Sequence, residues 1–316
     1  MGGWLCLTIE QTAGRFASLV AAHESKLRTL EEAAELVPDG ATIGIGGLSM
    51  NGAPMAFVRA LARRRVKDLT VVAVVAGIPI EWLVAAGCVR RVVSGLVSLE
   101  GFGLAPRFRQ AVQAGQVEIE EYSEHTLICR LQAAAHRLPF VPTKAGLGTD
   151  MLGLHPDTLR LEHDPATGEP YVACTPLPLD FGIVHAAEGG ARGNVRADPK
   201  LIWMDAEVVR AAATTIVTVE RVVPEATFVA EPARTTYPRF TVDVVAAAPW
   251  GAYPTSCFPA YGYDGDFFRA YVAAHGSPED AQSFWAERMD GPGSHGAFLD
   301  ANGGAATLLA IRRRTA

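Results

Sequence analysis

The residues best suited to chemistry lie in one glycine-rich segment, from Asp39 to Pro54. Its pattern predicts a turn, a short buried strand, a glycine loop and then a helix that begins near Pro54. Glycines let backbone N–H groups approach a ligand where a side chain would block it. A loop that leads into a helix N-terminus also favours negative charge. The segment therefore suits an anion site or an oxyanion hole, and the alternative is an ordinary glycine-rich turn. The candidate site residues are Gly46, Gly47, Leu48, Ser49, Asn51 and Gly52.

Other polar residues are weaker candidates for chemistry. Glu81 and Glu100 are expected to be solvated acids, and His185, at the end of an apolar strand, to be a hydrogen-bonded core histidine. No histidine lies close to Cys257 in the sequence, so nothing there indicates an activated thiol. The chain has no His-x-x-x-His and no cluster at metal-ligand spacing, so no metal site is expected.

Composition excludes several classes of protein. The 316 residues are 49% hydrophobic, which is enough for a large core, and the net charge of −6 with scattered basic residues does not favour nucleic-acid binding. The five cysteines form no Cys-x-x-Cys pair, which is typical of a reduced, intracellular protein. We find no signal peptide and no apolar run long enough for a membrane span. The sequence therefore predicts a soluble, cytoplasmic protein.

Apolar runs of strand type alternate with helical patterns along most of the chain. This alternation predicts an α/β fold with an open, mostly parallel sheet and helices on both faces. Residues 154–168 and 249–265 break the alternation with Pro and Gly. We therefore expect an N-terminal extension over residues 1–24 and a single domain over residues 25–316, with an insertion near residues 151–175.

The glycine-rich segment resembles the first signature of the class I CoA-transferases. That signature has Asp/Asn-Gly, a short apolar stretch, Gly-Gly-Phe and then Gly-x-Pro, and the chain matches it at Asp39–Gly40, Gly46–Gly47, Gly52 and Pro54. It departs from the signature where Leu48 replaces Phe and where Gly44 replaces an apolar residue. A pattern that extends over sixteen positions is far more specific than a lone glycine motif.

The resemblance runs from about residue 26 to residue 275. It departs from the family pattern at Gly190, where Asp is usual, and at Tyr253, where His is usual. Further matching segments are Glu120–Glu124, Leu131–Ala135, Leu138–Thr143, Gly146–Asp150, His185, Gly193–Val195 and Ala248–Cys257.

The chain contains no Glu-Asn-Gly, the motif that carries the nucleophilic glutamate in these enzymes. The resemblance therefore implies the A-type (alpha) chain of a CoA-transferase, which needs a separate B-type chain to supply that glutamate. It also implies the CoA-transferase type of fold, a heterodimer or heterotetramer, and a CoA thioester as substrate, with no permanently bound cofactor. The loop at residues 46–52 would line the site that faces the B-type chain.

Glu124 supports a different reaction. The chain also resembles steroid-degrading hydrolases that open a ring in a CoA thioester, in which a glutamate of the A-type chain, just before the Leu-Gln-Ala-Ala-Ala helix, is catalytic. Glu124 is the matching residue here, but an acid at a helix start also stabilises the helix. From the sequence we favour transfer of CoA between carboxylic acids. Ring-opening hydrolysis and a non-catalytic acyl-CoA-binding protein are the alternatives.

Overall fold

The computed structural model describes residues 25–197 and 203–315, and the predicted extension at residues 1–24 lies outside this part of the chain. The strands are Leu27–Arg28 (β1), Thr42–Ile45 (β2), Leu69–Ala76 (β3), Val89–Val97 (β4), Glu118–Glu121 (β5), Val141–Thr143 (β6), Leu159–His163 (β7), Pro170–Cys174 (β8), Leu179–Gly189 (β9), Val195–Arg196 (β10), Ala212–Val222 (β11) and Val244–Ala247 (β12). The α-helices are Leu30–Glu35 (α1), Met55–Arg64 (α2), Ile78–Ala85 (α3), Pro106–Gln113 (α4), Glu124–Ala135 (α5), Met151–Leu154 (α6), Asp205–Ala211 (α7), Glu225–Ala230 (α8), Gly265–Ala274 (α9), Pro278–Trp285 (α10), His295–Ala301 (α11) and Gly304–Thr315 (α12).

The main sheet confirms the predicted mostly parallel architecture. Its strand order is β1-β12-β11-β9-β2-β3-β4-β5, and every neighbouring pair along this path is parallel. The short strand β10 pairs antiparallel with β9 at its end. Because the path is parallel throughout, the carboxyl ends of the strands meet at one edge of the sheet. In open α/β sheets ligands bind in the crevice outside that edge.

Both faces of the sheet are covered, as the sequence predicts. The side chains of β3 show this clearly, since Val71 and Ala73 enter one hydrophobic cluster while Val72 and Val74 enter the other. This alternation follows from the two-residue period of a strand. The first cluster packs α1–α4 and α9–α12 against the sheet. The second contains α5 and α7, which also pack against each other.

A second, three-stranded antiparallel sheet lies on the face of α5. Its order is β6-β8-β7, and Leu159 and Val172 join it to the second hydrophobic cluster. The sequence indicates an insertion in this part of the chain but not its strands, because their apolar residues are few and separated by Pro, Asp and Gly. Within the described residues, no helix combines the length and apolar character that a membrane crossing needs.

The expectation that Glu81 is a solvated acid is wrong. Its side chain is fully buried on α3, where it accepts hydrogen bonds of 2.8 Å from the N–H groups of Arg107 and Phe108 and from the Tyr271 hydroxyl. The two N–H groups belong to the first turn of α4 and have no partner within that helix. Burial raises the pKa of Glu81, and the hydrogen bonds offset part of that rise. Glu81 therefore joins α3, α4 and α9 as a structural residue.

We expect Glu81→Ala to lower the free energy of unfolding by roughly 2–4 kcal/mol, because three buried donors lose their acceptor. Tyr271→Phe removes only one of the three bonds and should lower it by about 1 kcal/mol. Urea unfolding followed by far-UV circular dichroism measures both changes. An effect of Glu81→Ala below roughly 0.5 kcal/mol, the range of ordinary surface substitutions, would contradict this assignment.

Candidate active site

The glycine loop, residues 46–52, connects β2 to α2 at the carboxyl edge of the sheet. Most of its backbone N–H groups already have acceptors within the chain. They donate to Ile183 O (from Gly46, 2.9 Å), Asp205 Oδ1 (from Gly47, 2.7 Å), Asn51 O (from Leu48, 2.8 Å), Val75 O (from Ser49, 3.0 Å), Leu48 O (from Asn51, 2.8 Å) and Ser256 O (from Gly52, 2.7 Å). These amides hold the loop in shape, so an incoming anion would have to compete with existing bonds.

Glycine is required at two positions of this loop for different reasons. Gly47 has φ of +88°, which L-residues rarely adopt, and a Cβ there would lie 2.7 Å from the Asn51 carbonyl oxygen. At Gly46 a Cβ would lie 2.7 Å from Asp205 Oδ1. The Gly-Gly pair therefore lets the loop close on itself and lets a buried carboxylate approach its backbone.

The side chains of the loop bind neighbouring segments. Ser49 donates a 2.7 Å hydrogen bond to Glu100 Oε1, and both residues have positive φ, +57° and +54°. Such backbone strain is common at functional sites. Ser256 donates from its hydroxyl to Asn51 Oδ1 on the other side of the loop. Glu100 is exposed, as the sequence predicts, and it contacts the candidate site.

Glu124 lies at the same edge, as the first residue of α5. The helix is capped by Ser123, whose side chain accepts a hydrogen bond from the Thr126 N–H, so Glu124 is not the capping residue. A Cβ at Gly95 of β4 would come within 3.0 Å of Glu124 Cγ, so this glycine makes room for the glutamate. Glu124 is exposed, and its carboxylate has no hydrogen-bond or ion-pair partner within residues 25–197 and 203–315. The Glu124 carboxylate thus lies beside the sheet edge and forms no hydrogen bond or ion pair with the described residues.

Asp205 is a functional candidate that the sequence analysis missed. It is the first residue of α7, and its buried Oδ1 accepts the Gly47 N–H at 2.7 Å. Burial raises the pKa of Asp205 to about 6, although the Gly47 N–H and the charge of His185 oppose the rise. The only sequence signal is an acid at the start of a helix, which is common and does not indicate contact with a loop 158 positions away.

His185 is buried and hydrogen-bonded, as predicted. Its Nδ1 lies 2.8 Å from Thr218 Oγ1, and because that hydroxyl donates to the Val184 carbonyl, Nδ1 must be the donor in this pair. Its Nε2 lies 2.8 Å from Glu220 Oε1. Burial alone would lower the pKa of His185, but interactions with Cys257 and Glu220 outweigh it and raise that pKa to about 10. The pair is therefore an imidazolium and a carboxylate.

The structure brings His185 beside Cys257, which no sequence spacing indicates. His185, Glu220 and Cys257 each offer a ligand atom, and these atoms lie within 4.8 Å of one another, so by residue type they could hold a metal ion. However, Glu220 Oε1 already accepts from His185 Nε2, from the Tyr261 hydroxyl at 2.6 Å and from the Gly251 N–H at 3.1 Å. His185 and Glu220 are therefore already paired by hydrogen bonds, and we assign this pair a structural role.

The aromatic segment after β12 packs around this cluster. Tyr253 and Tyr261 are buried, whereas Phe258 and Tyr263 remain exposed. The rings of Trp250 and Tyr261 have centroids 4.3 Å apart and line a cavity of about 270 Å³ together with Glu220 and Arg312. Tyr253 and Tyr261 therefore pack the interior of this segment, and Trp250 and Tyr261 line the cavity.

The His185–Glu220 pair predicts a pH dependence of stability. The pKa of His185 is higher in the folded state than its ordinary 6.5. The contribution of protonated His185 to the free energy of unfolding is therefore complete below about pH 6.5 and is lost as the pH rises toward 10. The free energy of unfolding of the wild type should therefore fall across this range more steeply than that of His185→Gln. Urea unfolding at successive pH values measures the difference.

His275→Gln provides the matched control. Burial lowers the pKa of His275, so its neutral form is favoured on folding and its contribution to stability rises with pH. This variant should keep the fall in stability seen in the wild type. Parallel curves for the wild type and His185→Gln would contradict the assignment of an imidazolium at position 185.

Comparison with known proteins places this geometry in a family. The sequence profile of coenzyme A transferases matches residues 27–248. The IpdA chain of a cholesterol ring-cleaving hydrolase from Rhodococcus jostii is 36% identical over 285 residues, which cover 86% of this chain and 94% of that one. The A-type chain of glutaconate CoA-transferase from Acidaminococcus fermentans is 29% identical over 297 residues, which cover 87% and 91% of the two chains.

Solved structures agree with the sequence comparison. The glutaconate coenzyme A-transferase from Acidaminococcus fermentans superposes with a TM-score of 0.84 at 29% identity, covering 91% of this chain and 95% of that one. A variant of the decarboxylase AibA/AibB superposes with a TM-score of 0.73 at 31% identity, covering 82% of this chain and 97% of that one. By their names these relatives catalyse hydrolysis, transfer and decarboxylation, so the fold alone does not assign the reaction.

Proposed function

Since the chain belongs to the coenzyme A transferase family, we propose that it is the A-type chain of a heteromeric enzyme that opens a ring in a CoA-thioester substrate by hydrolysis, with Glu124 as the catalytic carboxylate. The observation that carries this proposal is the position of Glu124 at the carboxyl edge of the sheet, exposed and without a partner among the described residues. The start of α5 packs closely on β4, since a Cβ at Gly95 would lie 3.0 Å from Glu124 Cγ and 3.1 Å from its Cα. The 36% identity to one chain of a ring-cleaving hydrolase supports the same reaction.

The chemistry requires a base near an electrophilic carbonyl carbon. Glu124 would take a proton from water as the water oxygen adds to a ring carbonyl of the substrate. When the ring bond breaks, the electron pair stays on the leaving carbon, and the protonated Glu124 returns its proton there. Positioned proton transfer of this kind contributes about 10²–10⁴-fold to a rate. The carboxylate is regenerated in each turnover, so the reaction consumes only water and the CoA thioester.

In this proposal the glycine loop is the wall of the substrate pocket rather than its oxyanion hole. Six of its amides are already hydrogen-bonded within the chain, so its contribution is shape and close backbone approach. The CoA thioester is a substrate, and a separate B-type chain completes the assembly as a heterodimer or heterotetramer. No bound cofactor or metal takes part in the steps assigned to Glu124.

Transfer of CoA between carboxylic acids is the second candidate function. It is favoured by the match to the glutaconate enzyme and by the loop that resembles the transferase signature. In that case the nucleophilic glutamate would come from the B-type chain. It would attack the thioester carbonyl and release CoA thiolate, which leaves a mixed anhydride between the acyl group and the glutamate. The thiolate would then attack the glutamyl carbonyl, free the donor carboxylic acid and form a glutamyl-CoA thioester. The acceptor carboxylate would attack that thioester, and the released thiolate would attack the acceptor's acyl carbonyl, which forms the new acyl-CoA and frees the glutamate. Glu124 would then contribute at most to the shape of the pocket.

Replacing Glu124 by Gln tests the first candidate directly. Glu124→Gln keeps the size of the side chain but cannot accept a proton, so hydrolysis of a CoA thioester with a ring ketone should fall by about 10²–10⁴-fold. The measurement is turnover of the chain co-purified with its B-type partner, with assembly checked by size-exclusion chromatography. Glu121→Gln is the matched control, because it removes the same charge from an exposed residue three positions earlier and should leave the rate unchanged. A wild-type rate for Glu124→Gln would remove the hydrolase proposal.

Hydrolysis and CoA transfer can be separated by whether product formation requires a carboxylic acid acceptor. The assembled enzyme is given an acyl-CoA with and without an isotope-labelled carboxylic acid, and the products are identified by mass spectrometry. Hydrolysis predicts ring-opened product without an acceptor and no labelled thioester. Formation of labelled acyl-CoA that needs the acceptor and persists in Glu124→Gln would establish transfer instead.

A further inference from the structure

We propose that Asp205 is a positioning residue of the candidate site, which fixes the glycine loop by holding the Gly47 N–H. Its effect on the loop follows from the geometry alone, and only its effect on turnover rests on the proposed function. Nothing in the sequence pattern of the loop indicates this partner, because Asp205 follows Gly47 by 158 positions.

The geometry of the contact is specific. Asp205 Oδ1 lies 2.7 Å from the Gly47 nitrogen, and a side chain at Gly46 would collide with the same oxygen. Asp205 is 5% exposed, so this bond is made away from water, where hydrogen bonds to charged acceptors are strong. Gly47 thus donates its N–H to Asp205, and Gly46 leaves the space that the carboxylate occupies. The carboxylate and the Gly-Gly pair are fitted to each other.

A purely helix-stabilising role does not explain this placement. An acid that serves its own helix stays at the surface near the first N–H groups, where solvent keeps it charged. Asp205 is instead buried, which costs free energy for a carboxylate, and it points out of α7 toward the loop. Contacts outside α7 offset the free-energy cost of burying this carboxylate. Among them is the hydrogen bond that the Gly47 N–H donates to Asp205 Oδ1.

The surroundings of Asp205 make the contact sensitive to pH. Burial is the main cause that raises the pKa of Asp205, and Glu207 on the same helix adds to the rise. The Gly47 N–H and the charge of His185 on β9 lower that pKa, and Tyr237 from the neighbouring segment also lies within electrostatic range. The resulting pKa of about 6 means that the carboxylate is ionised at neutral pH and protonated in mild acid. Protonation converts the charge-assisted bond into a weaker neutral one. The loop should therefore be held less firmly below about pH 6.

α5 and α7 each begin with an acid, and the two acids differ in character. Each helix begins with an acid at the carboxyl edge, and the two helices pack together. Glu124 is exposed without a partner among the described residues, whereas Asp205 is buried and bound to the backbone of the loop. Differences in environment of this kind are how active sites divide roles between two carboxyl groups. Asp205 holds the loop, and in the proposed function Glu124 is the acid that reacts.

Hydrogen exchange of the loop tests the proposal without reference to any activity. In Asp205→Ala the Gly47 N–H loses its acceptor, so protection of a peptide covering residues 42–54 should fall by about tenfold or more at pH 7.5. Asp205→Asn retains a neutral acceptor and should lose only about two- to fivefold. Glu207→Gln, which removes a charge from the same turn of α7, should match the wild type. Protection in Asp205→Ala equal to that of the wild type would overturn the proposal.

The pH dependence gives a readout that a merely structural role would not produce. After correction for the intrinsic exchange rate, protection of the loop in the wild type should decrease as the pH falls through about 6, and Asp205→Asn should show no such step. In the wild-type assembled enzyme the turnover rate should fall as the pH drops below about 6, and in Asp205→Asn this fall should be absent. The difference should appear in kcat more than in KM. Loss of loop protection with unchanged turnover would confirm the loop contact and refute its role in the reaction. A persistent step in Asp205→Asn would overturn the assignment of this titration to Asp205.

Discussion

The parallel register of β9, β2, β3 and β4 is the constraint on which the candidate site depends. Ile183 of β9 lies opposite Ile45 of β2, so β2 ends beside a strand whose Ile183 carbonyl accepts the first amide of the loop. On the other side Ser49 pairs with Ala76 at the end of β3. The loop is therefore held between two strand ends. A shift of one residue in either register would turn the side chains of that strand to the opposite face of the sheet and take these backbone groups away from the loop.

The sequence was sufficient for the features whose signal is local. The all-apolar β3 predicts a strand buried on both faces, and the glycine loop can be recognised because its residues lie within sixteen consecutive positions. Glu124 could be singled out only through the resemblance to ring-opening hydrolases, since an acid at a helix start is by itself a common feature. What could not be predicted are partners that only folding brings together, such as Asp205 beneath Gly47 and Glu220 beside His185. These pairs have no spacing in the sequence that distinguishes them from ordinary acids.

Glu81 illustrates how a local signal can be overlooked. Its neighbours Ile80, Trp82 and Leu83 are all buried, and an acid surrounded by such residues in a helix has little chance of reaching solvent. An acid in that setting must find donors, and it finds them at the start of the next helix. The same reasoning applies to His185 on an apolar strand. Both of these buried polar groups are paired with backbone or side-chain partners, in agreement with the general cost of leaving such groups unpaired.

Rigidity around the loop has a functional meaning in this family of folds. Cleavage and transfer of acyl groups both require that the thioester be held against fixed groups while water is admitted or excluded, and a displacement of about 1 Å can lower a rate by about 10²-fold. The loop meets this requirement with internal hydrogen bonds and a buried carboxylate, and the segment at Ser256 closes its other side. The loop amides are committed to hydrogen bonds within the chain, whereas the Glu124 carboxylate has no such partner among the described residues. The relatives' names cover hydrolysis, transfer and decarboxylation, so the fold that holds the loop does not by itself determine the reaction.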